Sequence, residues 1–204
     1  GLFAFTSSVS IATLMPDVNV SPDEILLQDD FEDGNITLAD PNLHNGMTWT
    51  SHGSIETGKI NNIDSNGVKM NAGAYILSEQ TVNQPEFTVS FTVINWYNTA
   101  ARVMVAYQDE NNYYSFSPTT GQLWRVMDGI EEEFDNQVRS ILGSPRMNPS
   151  VNHYKIYFNN NGSSITISVD RDGYENRKDY DYTVVDQNAK AVNRFKGGKI
   201  KITR

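Results

Sequence analysis

Glu86-Phe87-Thr88-Val89-Ser90-Phe91-Thr92-Val93-Ile94 is the stretch on which the reading of the fold turns. Phe87, Val89, Phe91 and Val93 recur with a period of two, and Thr88, Ser90 and Thr92 fill the gaps. That alternation is a β-strand with one face buried and the other solvated, the habit of antiparallel sheets. Strand signals continue on both sides at short spacing. Downstream, residues 102–107, 113–117 and 122–127 are separated by Asp109-Glu110-Asn111-Asn112 and Thr119-Thr120-Gly121, both hairpin turns by composition. Residues 154–158 and 164–169 form a further hairpin across Asn159-Asn160-Asn161-Gly162, and strands are expected at 180–185 and 199–203. Upstream, strands are expected at 25–31, 47–50, 54–57, 68–70 and 74–77, the last two flanking Asn71-Ala72-Gly73. Residues 131–142 read equally as one short helix or a ragged strand. About a dozen short strands with turn signals every 8 to 12 residues predict an all-β protein, an antiparallel two-sheet jelly-roll sandwich.

The first residues extend that body. Leu2-Phe3-Ala4-Phe5-Thr6-Ser7-Ser8-Val9-Ser10-Ile11-Ala12-Thr13-Leu14-Met15 carries no charge. It places Phe3, Phe5, Val9, Ile11 and Met15 on one face, with small or polar residues between them. At ~3.3 Å per residue it reaches on the order of 45 Å, longer than an ordinary strand. Residues 16–22 then read as a linker, so the chain divides into an N-terminal extension, 1–22, and a sandwich, 23–204. An apolar ribbon of this kind needs a partner. It is the first strand of its own sheet, the remnant of a signal peptide, or a donor strand that completes a neighbouring copy. The length and the linker favour the donor strand, which makes the chain a homo-oligomer, a head-to-tail polymer.

The balance of 16 Lys and Arg against 25 Asp and Glu gives a net charge of −9, which argues against nucleic acid as a partner. The charges are segregated: residues 1–58 contain no Lys or Arg, and beyond Asp186 no acid faces Lys190, Arg194, Lys196, Lys199, Lys201 and Arg204. An acidic head and basic tail suit a contact that repeats without closing. With no cysteine, disulfides, thiol catalysis and Cys-based metal sites are excluded. No apolar run is long enough for a transmembrane helix.

Asp29-Asp30-Phe31-Glu32-Asp33-Gly34, then Trp49, the block from Ala101-Arg102-Val103 through Tyr107-Gln108-Asp109-Glu110-Asn111-Asn112-Tyr113-Tyr114-Ser115-Phe116, Met127-Asp128-Gly129, and His153-Tyr154-Lys155-Ile156 leading to Ser168-Val169-Asp170 together resemble the concanavalin A-like, laminin G-like jelly rolls over about residues 25–204. The resemblance implies a curved sandwich, often secreted, often with structural calcium, used for sugar binding, polysaccharide cleavage or scaffolding. Fold alone does not choose among these. Such domains commonly close with a further strand after the segment Gly198-Lys199-Ile200, where this sequence stops, so a vacant sheet position is expected to accept a neighbour's first strand, in the manner of bacterial pilins and archaeal threads and cannulae.

Calcium is the candidate ion, because acidic loops supply hard oxygens. Asp29, Asp30, Glu32 and Asp33 form the densest cluster, with Asp170 and Asp172 next. Trp96 and Tyr97 are the candidate sugar-stacking pair, which makes a polysaccharide a second candidate partner. Asn19, Asn35 and Asn161 head glycosylation sequons. The parts of a uronate lyase are present in His44, His52, His153, Arg102, Lys69, Tyr107, Tyr113 and Tyr114, but in no diagnostic motif, and no catalytic residue is assigned. The expectation is therefore a non-enzymatic extracellular or cell-surface filament subunit joined by donor-strand complementation, with a carbohydrate-binding domain or a jelly-roll lyase as the alternatives.

Overall fold

The computed structural model describes residues 3–13, 24–59, 66–95, 101–118, 120–134, 150–172 and 182–204; in β1, and at a few other strand ends, the description extends to the backbone only. The described residues form fifteen strands and one short helix. One sheet runs β14 (Tyr182–Asp186), β13 (Ile165–Asp172), β12 (Ser150–Asn160), β7 (Glu86–Asn95), β1 (Phe3–Thr13), β5 (Asn66–Met70), β4 (Ile55–Lys59), with β2 (Glu24–Asp29) also paired to β1. The other runs β11 (Ile130–Phe134), β10 (Leu123–Met127), β9 (Asn112–Phe116), β8 (Arg102–Asp109), β15 (Lys199–Thr203), β6 (Tyr75–Ser78), β3 (Trp49–His52). Every ladder between these strands is antiparallel.

The alternation in β7 does what its sequence requires: Phe87, Val89, Phe91 and Val93 lie in one core with Ile156, Phe158, Ile167 and Val169 of the same sheet. Val103, Val105, Tyr114, Phe116, Ile200 and Ile202 come to that core from the other sheet. Phe87 stacks on Phe158 at 5.0 Å, and Tyr114 meets Phe158 edge-on at 5.6 Å, so aromatic contacts join the two layers. Residues 131–134, the start of the ambiguous stretch, belong to strand β11. The turn at Asn71-Ala72-Gly73 joins no hairpin, because β5 belongs to one sheet and β6 to the other.

Helical periodicity is absent from the sequence, yet Ala189–Arg194 forms a helix, α1. Six residues are too few to display a period. Its signal was instead the cap: the Asn188 carboxamide oxygen accepts from the backbone N–H groups of Lys190 and Ala191. Arg194 in the last turn reaches Asp128 at 2.6 Å, and Lys190 also pairs with Asp128, so the helix is clamped to the β10–β11 turn.

The first strand lies within the larger sheet. β1 pairs within its own chain. Phe3–Thr6 and Ser10–Ala12 match β7 on one side, while Phe3–Thr6 match β5 and Val9–Thr13 match β2 on the other. β1 thus takes a mid-sheet position in the larger sheet, whereas the vacancy expected after Gly198-Lys199-Ile200 concerns the other sheet. β15, expected to border a gap, is paired on both sides, to β8 and β6.

Candidate functional site

The outward face of the β11–β3 sheet carries a continuous band to which every one of its seven strands contributes, β8 with two side chains and the others with one each. A bulge makes this possible. In strict alternation Val103, Val105 and Tyr107 would all point into the core, but Ala106 adopts φ +50° and the pairing register slips there. Tyr107 is consequently turned out beside Tyr113, ring centroids 5.7 Å apart and nearly parallel. Lys201 Nζ lies 5.1 Å from the Tyr107 ring and 4.2 Å from that of Tyr75. Tyr75 in turn stacks on His52 at 5.2 Å. On the other flank the Arg102 guanidinium sits 4.2 Å above the Trp124 ring and 3.2 Å from Glu131. From β3 to β11 the band therefore reads imidazole, phenol, ammonium, phenol with guanidinium, phenol, indole, carboxylate.

Tyr107 and Trp124 are nearly covered, at 8% and 7% exposure, and form the floor, while Tyr75, Tyr113, Lys201 and Arg102 are half-buried and His52 is exposed. Burial, then the charges of Glu110 and Asp109, raise the phenol of Tyr107, and burial raises that of Tyr113. Burial against the rings lowers the Lys201 ammonium. Raised in this way, the two phenols stay protonated and act as hydrogen-bond donors.

The remaining residues considered for proton abstraction are scattered. Tyr114 lies in the core, where its hydroxyl donates to Asp186 at 2.7 Å. His153 stands on the opposite sheet, its Nδ1 2.6 Å from Thr92 Oγ1, above a dent of about 120 Å³ bordered also by Ser90, Lys155 and Asp170. Lys69 is on β5, and His44 lies in the loop after β2, where its carbonyl accepts from Gln28.

The acidic cluster is a set of turns. Asp30 accepts from the Glu32 N–H and Asp33 from the Asn35 N–H, each closing an Asx turn, while Glu32 holds Asn66. Asp29 is buried and spans the two sheets, one oxygen accepting from the Phe31 N–H at 2.9 Å and the other from Trp49 Nε1 at 2.8 Å. Among the described residues no group of three or more carboxylates and imidazoles is gathered to hold a metal ion. Asp170 faces Lys155 across the β12–β13 ladder, and of Asp172 only the backbone, opposite His153, is described. Asn35 is half-buried, its side-chain oxygen taken by Thr37 and Leu38, and Asn161 is exposed in the β12–β13 turn. Met15, Asn19, Trp96 and Tyr97 lie outside the described residues. Trp49 is a core residue, 1% exposed.

Burial pushes the Asp29 carboxyl up to about 6 against the pull of its two hydrogen bonds, with Asp33 and Asp30 adding like charge. A group whose native pKa exceeds its unfolded value stabilises most when both states are protonated, and that stability is lost as pH rises through the native pKa. Stability is therefore expected to fall by up to about 3 kcal/mol from below pH 4 to above pH 6, since each tenfold difference in proton affinity between the folded and unfolded chain is worth roughly 1.4 kcal/mol. Urea titrations across that range measure the slope. Asp29→Asn should flatten it, while losing one of the two acceptors.

Comparisons with family models, with curated proteins and with solved structures found no match to this chain.

Proposed function

We propose that the chain is a structural, self-associating subunit of the cell exterior, a jelly-roll sandwich whose first strand can pass from its own sheet into the equivalent slot of a neighbour. The observation that supports this reading is the two-sided pairing of β1 in mid-sheet, with β7 on one flank and β5 and β2 on the other. Remove β1 and three strands lose main-chain partners at once, leaving a groove shaped for one incoming strand. A strand from a second copy would make the same hydrogen bonds, so exchange costs little beyond the opening step and the loss of tethering. Because the exchanged element leads to the next body through residues 14–23, the contact is heterologous and extends into a chain of subunits.

The test uses the intact chain, a variant lacking residues 1–16, and a synthetic peptide of residues 2–15. The intact chain is expected to form linear polymers in negative stain at high concentration. The shortened variant should form none and should take up the peptide one to one, with a gain in thermal stability. An intact chain that stays monomeric at every concentration, or a shortened variant that polymerises unaided, would overturn the reading.

A further inference from the structure

The geometry points to a site of self-modification in the β12–β13 turn: Asn161 converts to aspartate and isoaspartate, without an enzyme, by attack of the Gly162 backbone nitrogen on its side-chain amide. The sequence holds three Asn-Gly pairs, Asn45-Gly46, Asn66-Gly67 and Asn161-Gly162. Glycine obstructs such an attack least, because it has no Cβ. The fold treats the three pairs differently. Gly46 is pinned on both sides: the Gln28 N–H donates to the Asn45 carbonyl at 3.0 Å, and the Met47 N–H donates to the Gln28 carbonyl at 2.8 Å. The Asn45 side-chain amide also donates to the Ile25 carbonyl at 3.1 Å. Gly67 is buried in mid-sheet between Thr6 of β1 and Gly58 of β4, and Asn66 is held by Glu32. Asn161 and Gly162 are both exposed, and a Cβ placed on Gly162 would meet nothing within 4 Å.

The hydrogen bonds of the turn favour the reaction. The Asn161 side-chain oxygen accepts from the backbone N–H groups of Ser163 at 2.8 Å and Ser164 at 2.9 Å. That oxygen becomes an oxyanion when the carboxamide carbon turns tetrahedral, so two placed donors already face the charge that develops. The Gly162 N–H donates to the Asn160 side-chain oxygen at 3.0 Å, which polarises the bond that must break. Hydroxide takes that proton, and the Gly162 nitrogen bonds to Asn161 Cγ. The Cγ–Nδ2 bond then breaks, and the amide nitrogen takes up a proton from water and leaves as ammonia. Water opens the resulting cyclic imide at either carbonyl. One opening yields aspartate; the other routes the backbone through Cβ and Cγ and lengthens it by one methylene. Aspartate keeps both serine N–H bonds, now with a full charge, and preserves the turn. Isoaspartate displaces its neighbour Asn160, whose buried amide donates to the Val192 and Phe195 carbonyls at 2.7 and 2.8 Å and so holds the end of α1. The turn therefore works as a clock: every conversion adds a negative charge, and those that give isoaspartate loosen α1.

Incubation of the full chain at mildly alkaline pH, followed by peptide mapping in a mass spectrometer, tests the assignment, with the chain unfolded in guanidinium chloride as the reference. In the unfolded chain the three pairs are expected to convert at comparable rates. In the folded chain Asn161 should convert roughly tenfold or more faster than Asn45 or Asn66. Conversion should slow at mildly acidic pH, where hydroxide is scarce. Gly162→Ala, checked for an unchanged far-ultraviolet spectrum, places a methyl group beside the attacking nitrogen and should slow conversion by a similar factor. Asn161→Asp should unfold at the same denaturant concentration as the parent, and the isoaspartate form, separated by chromatography, at a lower one. Asn161 converting no faster than Asn45 and Asn66 in the folded chain, or as fast in folded Gly162→Ala as in the parent, would overturn the assignment. An isoaspartate form as stable as Asn161→Asp would overturn the link to α1. None of these outcomes bears on strand exchange.

Discussion

Gly198→Ala is expected to lower the stability of the protein by on the order of 3 kcal/mol or more, one of the two largest single-residue effects anticipated here. Gly198 has φ +145°, and a Cβ placed on it would lie 2.5 Å from the carbonyl carbon of Ala106 and 2.7 Å from the Tyr107 nitrogen. Both obstacles are backbone, so no side chain can rotate away. They belong to the bulge that turns Tyr107 outward, and the substitution should therefore disturb the ring band as well as the β15–β8 ladder. Denaturant unfolding measures the loss, and near-ultraviolet circular dichroism reports the tyrosine environment. Gly73→Ala is the control. At φ +82° it is also strained, but an added Cβ meets nothing within 4 Å, so its cost should stay near 1 kcal/mol. Equal effects at the two glycines would show that steric approach to the bulge is not what fixes Gly198.

The second large effect is expected from Asp186→Ala. Asp186 ends β14 in one sheet and accepts at 2.5 Å from Arg125 and at 2.7 Å from the Tyr114 hydroxyl, both in the other sheet. Arg125 and Asp186 are each about 5% exposed. The buried guanidinium would be pulled down by desolvation, but the hydrogen bond and charge of Asp186, helped by Glu132, hold it above its ordinary range. Tyr114 is likewise driven far upward by burial and by Asp186. Removing the carboxylate leaves a buried cation with only Glu132, itself largely exposed, as its ion partner among the described residues. Breaking such a pair from one side costs about 3–5 kcal/mol, whereas replacing both partners with apolar groups is often nearly neutral. Urea unfolding of Asp186→Ala, Arg125→Met and the double variant should show the double losing far less than the sum of the singles. Additive losses would mean that the pair does not couple the sheets.

The alternation of Phe87 to Val93, of Tyr154 to Phe158 and of Ile200 with Ile202 was legible because each strand keeps its period of two throughout, and each of these residues is buried as the pattern requires. The ring band was not legible, for a local reason. One bulge at Ala106 shifts the phase of β8, and the positive φ that permits it belongs to an alanine, which gives no signal in the sequence. Tyr107, Tyr113 and Arg102 were singled out for proton-abstraction chemistry, and the fold does bring them together. Lys201 and Tyr75 reach them only through sheet order, which places β15 and β6 beside β8 although the chain separates these strands widely. The acidic turn is ambiguous in the sequence because carboxylate density looks alike whether the oxygens converge on an ion or cap backbone N–H groups. The offset of two residues, Asp29 to Phe31, Asp30 to Glu32 and Asp33 to Asn35, was the available clue to capping. The first residues carry a strand pattern, but periodicity contains no information on which molecule supplies the partner.

The edge strand β11, Ile130-Glu131-Glu132-Glu133-Phe134, has a consequence for how copies can meet. Three successive carboxylates line the margin of the seven-stranded sheet, Glu131 and Glu133 on one face and Glu132, paired with Arg125, on the other. A second copy that approached margin to margin would set carboxylates against carboxylates, which works against the sheets fusing sideways into a continuous ribbon. Lateral zippering is thereby discouraged at that margin.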